Sequence, residues 1–308
     1  MKAIVSTGYG RPDVLQIKEL EKPVPKEKEV LIKIYATTVT QADRRFRIPE
    51  PVAIRLLNGL IRPKLIPVLG LELAGEVEAV GNDVKRFTKG DQVFAFTGFY
   101  FGAYAEYKCM AEEGTPQKDG LIAKKPVNLS FEEAAAVPCG GLTALGLAQK
   151  VNIRPDQKVL IYGASGSVGT YAVQLAKFFG AQVTGVCSTS NLELVKSLGA
   201  DTVIDYTRND FTKSGETYDV IIDAVHKKSP SYCKRALKKN GVFLTAHTST
   251  NLTLEDFFFL TELVEAGKIR PVIDRVYPFE QVAMAHSYVD LGHKKGNVVI
   301  NVNSKHNI

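Results

Sequence analysis

The pattern of apolar and polar positions changes character near Asn128. Before this point, short apolar runs with alternating polar positions are separated by Gly and Pro, which is typical of strands in a compact antiparallel or barrel-like domain. The predicted strands are Glu29–Ala36, Gly75–Val80, Gln92–Ala95 and Tyr104–Cys109. The sequence therefore predicts a β-rich first domain.

From Ser130 onward, helical periods alternate with apolar strands. Ser130 followed by Glu133 is a capping box, which predicts a helix over SFEEAAAV. The predicted strands of this part are Val159–Tyr162, Thr202–Ile204, Val220–Asp223 and Val242–Thr245. Such alternation is typical of a doubly wound parallel sheet. The last strand, GNVVINV, is expected to return to the first domain, so the predicted domains are 1–128 with 271–308, and 129–270.

A glycine-rich turn lies between the apolar run Val159–Tyr162 and a helical period over Val168–Phe179. Glycine lets a chain turn sharply out of a strand and approach a pyrophosphate closely, and the following helix N-terminus suits phosphate. A bare glycine triplet is weak evidence, but this one stands inside a βαβ unit. The turn predicts a dinucleotide site, the alternative being a glycine-rich connection without a ligand. The residues predicted to contact the cofactor here are Gly163, Ala164, Ser165, Gly166, Ser167, Val168 and Gly169.

The second apolar run of this unit ends in Cys187 and three hydroxyl residues rather than in an acid. A site that prefers NAD usually places Asp or Glu there to accept from the ribose 2′-hydroxyl, but no acid occurs between Gly163 and Leu192. Ser188, Thr189, Ser190 and Asn191 offer neutral donors instead, which favours NADP(H). No Arg or Lys stands beside them, so a cation is expected from farther along, such as Lys196. In the alternative interpretation, Ser190 or Asn191 caps a helix that begins at Leu192.

Composition and charge are those of a globular enzyme with two domains. Apolar residues make up 45% of the 308 and charged residues 23%, and the net charge of +6 is spread along the chain rather than clustered as in nucleic-acid-binding proteins. There is no apolar run of about 18 residues and no signal-peptide core. We expect a cytoplasmic protein with neither nucleic acid nor membrane as a partner. The four cysteines and five histidines form no metal-binding motif, so no metal site is predicted.

Several stretches resemble the zinc-independent quinone oxidoreductase branch of the medium-chain dehydrogenase/reductase superfamily, which includes zeta-crystallin and various enone and enal reductases. The resemblance covers nearly the whole chain, and it implies a GroES-like β-rich barrel domain joined to a Rossmann domain. The stretches that carry it are PVLGLELAGEVEAVG (67–81), FTKGDQVFAF (87–96), GAYAEY (102–107), EEAAAVPCGGLTAL (132–145), GASGSVG (163–169), SLGADTVIDY (197–206), AGKIRPVIDRVYPFEQVAMAH (266–286) and KKGNVVI (294–300).

The zinc-bearing alcohol dehydrogenases of this superfamily hold their metal at positions that correspond here to Thr40, Leu71 with Glu72, and Cys139. Leucine has no donor atom, and a catalytic zinc needs three protein ligands. Without that Lewis acid, oxidation of a simple carbinol loses its main electrostatic stabilisation. A quinone or an α,β-unsaturated carbonyl needs less assistance, because its oxygen takes up the charge and solvent can supply the proton.

The resemblance also implies roles for individual residues. Thr40 and Asp43 correspond to the substrate-facing turn and are the predicted catalytic residues. In the alternative interpretation, Asp43 is a structural partner of Arg44 or Arg45. The predicted cofactor contacts beyond the glycine turn are Thr143, Ser188, Thr189, Asn191, Tyr206, Ala224, Val225, His226 and Asn297.

The predicted function is NADPH-dependent reduction of a quinone, enal or enone by hydride transfer. Two alternatives remain at this point: a zinc-free NAD(P)-dependent alcohol dehydrogenase, and a non-catalytic NADPH-binding sensor. Relatives usually carry a further helix and an interface strand after the strand that ends at Thr245, where this chain has only HTSTNLT. Either that edge is absent or a loop is missing from the sequence. If it is absent, we expect a monomer or a weak homodimer.

Overall fold

The computed structural model describes residues 1–302, so the last six residues of the predicted first domain lie outside the described part. The chain divides into two compact units. The β-rich unit comprises Met1–Cys139, Thr253–Thr261 and the chain from Ile273 to the last described residue; the parallel-sheet unit comprises Gly140–Leu252 and Glu262–Val272. The assignment of substrate and cofactor to these units stays a prediction.

Strands form the sheets of the β-rich unit and the central sheet of the other. In chain order they are β1 (Lys2–Ser6), β2 (Leu15–Glu19), β3 (Glu29–Thr38), β4 (Glu72–Val80), β5 (Gln92–Phe96), β6 (Tyr107–Ala111), β7 (Leu121–Lys124), β8 (Lys158–Tyr162), β9 (Gln182–Cys187), β10 (Thr202–Asp205), β11 (Tyr218–Asp223), β12 (Leu237–Thr245), β13 (Ile273–Pro278) and β14 (Asn297–Asn301).

Helices of four to thirteen residues connect the strands. They are α1 (Gln41–Arg47), α2 (Ala53–Asn58), α3 (Phe131–Ala135), α4 (Pro138–Lys150), α5 (Ser167–Phe178), α6 (Leu192–Ser197), α7 (Pro230–Cys233), α8 (Leu254–Glu265) and α9 (Val282–Asp290). The capping box that opens α3 is confirmed, because the Ser130 side chain accepts from the Glu133 amide and the Glu133 side chain accepts from the Ser130 amide.

The main sheet of the β-rich unit has the order β13-β14-β3-β4-β5-β7, with β6 also paired to β3. The last strand, β14, pairs antiparallel with β3, as expected from the sequence. The strand predicted over Tyr104–Cys109 begins later, at Tyr107. The backbone just before it takes positive φ values at Phe101 and Gly102, and Tyr104 bonds instead to the backbone of Ile4.

Residues 129–139 and 253–261 belong to the β-rich unit, where aromatic side chains of α3 and α8 pack on the strands. Phe131 on α3 stacks on Tyr35 with ring centroids 4.7 Å apart, and Phe257 on α8 meets Phe94 at 4.5 Å. Phe94 and Phe257 are both fully buried. These aromatic contacts explain why residues 129–139 and 253–261 lie in this unit, because buried aromatic pairs contribute about 1 kcal/mol beyond their buried area.

The parallel-sheet unit contains five strands in the order β10-β9-β8-β11-β12. All four neighbouring pairs are parallel, with Ile161 opposite both Gly185 and Ile222 in the middle of the sheet. Within the described residues β12 pairs only with β11, and the chain then turns at Thr245–Thr248 towards α8. The connection packs closely on α4, since Lys150 donates to the Ser249 carbonyl at 3.0 Å. The predicted monomer or weak homodimer remains a prediction.

A buried polar chain joins distant parts of the β-rich unit. Fully buried Arg47 on α1 donates through Nη2 to both carboxylate oxygens of Asp290 at 2.7 Å, and through Nε to Nδ1 of His286 at 3.2 Å. Nε2 of His286 lies 3.0 Å from the Tyr104 hydroxyl, which donates to the Thr38 carbonyl at 3.3 Å. Because arginine only donates, Nδ1 of His286 must accept and the ring proton sits on Nε2.

Burial, with the Arg47 charge as a second cause, lowers the pKa of His286 from 6.5 to about 3. We therefore expect the stability of the wild type, relative to His286→Gln, to be highest above pH 6.5. As the pH falls from 6.5 towards 3, the unfolded histidine gains a proton that the folded one does not. The difference in unfolding free energy should change by up to about 1.4 kcal/mol per pH unit against the wild type. Urea unfolding of both proteins at pH 7 and pH 5 measures it; a pH-independent difference would contradict this assignment.

Candidate functional site

The predicted cofactor residues of the parallel-sheet unit follow neighbouring strands at one edge of the sheet. The glycine turn follows β8, Ser188 and Thr189 follow β9, Tyr206 follows β10, and Ala224–His226 follows β11. Since carboxyl ends of parallel strands share an edge, the fold brings these segments together. Asn191 links two of them directly, because its Nδ2 donates to the hydroxyls of Ser165 and Ser188 at 3.1 Å each.

The three glycines of the turn are required for different reasons. Gly163 has a φ of 78°, in the left-handed region that favours glycine. A Cβ on Gly169 would lie 2.1 Å from the carbonyl oxygen of Gly163, so α5 packs too closely for any side chain. A Cβ on Gly166 would meet nothing closer than 3.4 Å, so the protein itself leaves room there. A ligand that approaches this backbone is the remaining reason for a glycine at 166.

Two further features fit a dinucleotide at this turn. Helix α5 begins directly after the turn, with the Thr170 amide donating to the Gly166 carbonyl, and a helix N-terminus suits phosphate oxygens. Buried Asn191 keeps an Oδ1 acceptor for which the described residues provide no donor. A sugar hydroxyl of the cofactor would supply one. Asn191 stands at the N-cap position of α6 but its side chain makes no capping bond.

An acid from the neighbouring strand lies beside the end of β9: Asp205, the last residue of β10, is opposite Cys187. Thr189 donates its hydroxyl to Asp205 Oδ2 at 2.5 Å, and Thr207 donates its hydroxyl to Oδ1 at 2.7 Å. The bond from Thr189 is the main reason that the pKa of Asp205 lies below its usual value. Thr189 is thus not the free donor predicted from sequence. The cation beside this group is Arg208, whose Nε lies 3.8 Å from Asp205, whereas Lys196 was expected.

The end of β11 is organised by a buried carboxylate. Asp223 accepts from the amides of Val225 at 3.1 Å and Lys228 at 2.6 Å, which closes a turn over these residues. Within it, His226 takes a φ of 54°, an unusual conformation for a residue with a side chain. Its ring contacts His247, with centroids 4.7 Å apart. Sequence reasoning identified His226 but missed Asp223 as the organiser and His247 as the neighbour, because β11 and β12 become adjacent only in the sheet.

Thr143 and Tyr206 belong to the same unit. Thr143 lies on α4, which approaches the start of α5 closely: a Cβ on Gly140 would lie 2.8 Å from the Ser167 hydroxyl. Tyr206 is 48% exposed, and its ring lies 6.2 Å from that of Tyr162, so one face remains available for a planar ligand such as adenine.

Thr40 and Asp43 contact each other in the β-rich unit. The Thr40 hydroxyl donates to Asp43 Oδ2 at 2.6 Å and accepts from the Asp43 amide at 3.2 Å, which is a capping box at the start of α1. Asp43 Oδ1 accepts from the Gly70 amide at 2.8 Å. Asp43 is fully buried, and burial raises its pKa to about 6. The alternative that Asp43 pairs with Arg44 or Arg45 is wrong for Arg44, which pairs with Asp290 and Glu50.

A second buried carboxylate lies in the same unit. Glu72 accepts from the Thr38 hydroxyl and, at 2.6 Å, from the Cys139 amide. Burial raises the pKa of Glu72 to about 7, and nearby Asp43 adds to the shift. Burial is also the main cause that lowers the pKa of Lys294, to about 8, with Glu72 among its neighbours. Sequence reasoning treated Glu72 only as a remnant of a metal site; its position on a buried strand was the available signal for a structural carboxylate.

The residues at the zinc-ligand positions do not fit a zinc ion. Leu71 has no donor, Glu72 and Thr40 are engaged as described above, and burial raises the pKa of the Cys139 thiol well above its usual range, which opposes the thiolate that zinc requires. Within residues 1–302, no group of three or more His, Cys, Asp or Glu side chains is arranged to hold a metal.

Asn297 lies in the β-rich unit, and its predicted contact with the cofactor stays a prediction. It is the first residue of β14 and is 3% exposed.

Three family descriptions match most of the chain. Residues 26–119 match the alcohol dehydrogenase GroES-like domain, and residues 167–264 and 238–300 match two descriptions of zinc-binding dehydrogenases. The chain is 36% identical to 2-methylene-furan-3-one reductase of Solanum lycopersicum, over 97% of this chain and 79% of that protein. It is 34% identical to the NADPH-dependent alkenal/one oxidoreductase, chloroplastic, of Arabidopsis thaliana, with the same coverages.

The chain belongs to the zinc-independent quinone oxidoreductase branch of the medium-chain dehydrogenase/reductase superfamily. Solved structures agree with this membership. The quinone oxidoreductase from Coxiella burnetii superposes with a TM-score of 0.84 at 28% identity, covering 98% of this chain and 99% of that one. An NAD-dependent alcohol dehydrogenase superposes with a TM-score of 0.86 at 29% identity, covering 98% and 100%. The predicted family and fold class are therefore confirmed.

The different roles of the turn glycines give a matched pair of variants. Gly166→Ala should fold with nearly wild-type stability, because its Cβ meets only ordinary contacts, but should weaken NADPH binding roughly tenfold or more where a phosphate would approach. Gly169→Ala should lower the free energy of unfolding by about 3 kcal/mol, because of the clash with the Gly163 carbonyl. Urea unfolding and fluorescence titration with NADPH measure both effects. Equal destabilisation of the two variants would contradict the assigned roles.

Proposed function

We propose that this protein reduces quinones or α,β-unsaturated carbonyls with NADPH, without a metal. The observation that carries the proposal is the turn at Gly163–Gly169, where Gly166 has no steric reason to be glycine unless a ligand approaches. The relatives include an NADPH-dependent alkenal/one oxidoreductase and a quinone oxidoreductase, and these activities support the substrate class and the cofactor.

The chain's own residues would act mainly by binding and orienting. The amides at the start of α5 hold the pyrophosphate, and Asn191 holds Ser165 and Ser188 in place at the sugar. A nicotinamide held there would supply the hydride. Thr40 faces the substrate, and Asp43 is a positioning residue because it is fully buried and both of its oxygens are engaged.

The hydrogen bonds of Thr40 and Thr38 decide whether their hydroxyls can protonate the substrate. Thr40 donates its proton to Asp43, and Thr38 donates to Glu72, so neither hydroxyl offers its proton to a developing oxyanion. A conjugated acceptor tolerates this arrangement, since its charge is delocalised and solvent supplies the proton. A simple ketone or alcohol would require an electrophile at this point, which favours reduction of conjugated acceptors over alcohol oxidation.

NADPH oxidation should be observed with at least one of an ortho-quinone, an enal and a cyclic enone, in the presence of EDTA and with NADH in parallel. No nicotinamide reduction is expected with NADP and a simple secondary alcohol, which is the assay for the alcohol dehydrogenase alternative. Tight NADPH binding without turnover of any acceptor would reject the proposal and favour a cofactor-binding sensor.

Arg208 is the proposed partner of the 2′-phosphate. Arg208→Gln should raise the KM for NADPH about tenfold, as expected for loss of one charge-assisted hydrogen bond, and leave the KM for NADH unchanged. Arg235→Gln, which removes an exposed arginine of the same unit, is the matched control and should change neither value. If Arg208→Gln affected both cofactors equally, Arg208 would have no role in discriminating them.

We also propose that the protein is located in the cytoplasm. No helix in the described chain has the length and hydropathy to span a membrane.

A further inference from the structure

The segment 51–71 exposes an apolar surface. Six of its large apolar side chains are at least 66% exposed, with Ile61 reaching 89%: Val52, Leu56, Leu57, Leu60, Ile61 and Leu65. Monomeric proteins rarely expose so many large apolar residues in one stretch unless the surface binds something.

Local bonds fix this segment in place. Buried Asn58 accepts from the Ile66 amide through Oδ1 at 2.8 Å, and its carbonyl accepts from the Lys64 amide at 2.7 Å. The Tyr9 hydroxyl donates to the Gly59 carbonyl at 2.8 Å, which ties α2 to the start of the chain. The exposure of the apolar side chains is therefore built into the fold of the β-rich unit.

The charges of the segment are all positive. Residues 51–71 contain Arg55, Arg62 and Lys64 and no Asp or Glu. Apolar residues interleaved with cations are typical of surfaces that lie in the interface of an anionic bilayer. A second copy of the same surface would bring like charges together, which disfavours self-association here.

A cationic cavity adjoins the segment. It has a volume of ≈ 340 Å³ and lies between β1, β2 and residues 62–67. The charged residues that line it in the described chain are Lys18, Arg62 and Lys64. Ser6, another lining residue, is 3% exposed and has a hydroxyl without a hydrogen-bond partner among residues 1–302. Three cations and an unpaired hydroxyl match the oxygens of a phosphate group.

We propose that the β-rich unit docks on anionic phospholipid bilayers, with residues 52–65 in the interface and a lipid phosphate in the cavity lined by Lys18, Arg62 and Lys64. The proposal is independent of the reduction chemistry. It replaces the expectation, drawn from sequence, that a membrane is not a partner; that expectation rested on the absence of a spanning segment, which says nothing about peripheral contact.

Vesicle flotation tests the proposal on the full chain. The wild type should float with phosphatidylcholine vesicles that contain phosphatidylglycerol, less so as salt increases, and should not float with phosphatidylcholine alone. Arg62→Gln with Lys64→Gln should weaken binding roughly thirtyfold, because each basic residue near an anionic surface contributes about fivefold. Leu60→Ser with Ile61→Ser should weaken it at unchanged charge.

Matched controls separate the surface from general charge and hydropathy. Arg235→Gln with Lys239→Gln removes the same charge from exposed positions of the other unit, and Val127→Ser with Leu291→Ser removes exposed apolar residues elsewhere on the β-rich unit. All four double variants should keep NADPH oxidation with a water-soluble acceptor.

The wild type failing to float with either vesicle, or floating equally with both, would overturn the proposal. Control variants that lose binding as much as the surface variants would also overturn it. Calorimetric titration with inorganic phosphate distinguishes the source of the ligand: binding of phosphate that Lys64→Gln removes, without any vesicle binding, would assign the cavity to a free phosphate and reject the bilayer.

Discussion

The β-rich unit depends on one fully buried guanidinium. Arg47, in the first segment of the unit, is held by Asp290 and His286 on α9 in its last segment, so distant segments of a discontinuous unit are joined by charge as well as by apolar packing. A buried charge without its partners is strongly destabilising, so α1 and α9 are constrained to stay together. This in turn fixes Thr38 through Tyr104 and places Thr40 and Asp43 at the start of α1.

The parallel-sheet unit depends instead on glycines, which have no side chain, in the turn between β8 and α5. At Gly169 no Cβ can be accommodated, whereas at Gly166 the space is left for something outside the protein. Packing density makes the first requirement strict, and ligand approach explains the second. Gly163 and Gly169 are therefore required by the fold, whereas Gly166 is explained by a ligand, although the three look equivalent in GASGSVG.

Much of the fold followed from local patterns. The strands β8, β10 and β11 were predicted within two residues of their observed bounds and the capping box at Ser130 was confirmed, because buried strands and caps have strong local signatures, whereas β12 begins five residues before its predicted start. The site was only partly predictable. The residues at the strand ends were identified, but Asp205 beside Thr189 and His247 beside His226 were not, because those pairs are contacts between adjacent strands of the sheet.

The sequence by itself determined the superfamily, the two kinds of domain and the dinucleotide turn, because each is encoded by residues close together in the chain. Only the tertiary structure decided which polar groups are engaged and which remain available. It assigned the hydroxyl of Thr40 to Asp43, brought Arg208 to the end of β9, and exposed apolar residues 52–65 next to a cationic cavity. Burial and pairing depend on contacts between distant segments, and a linear pattern does not specify those contacts.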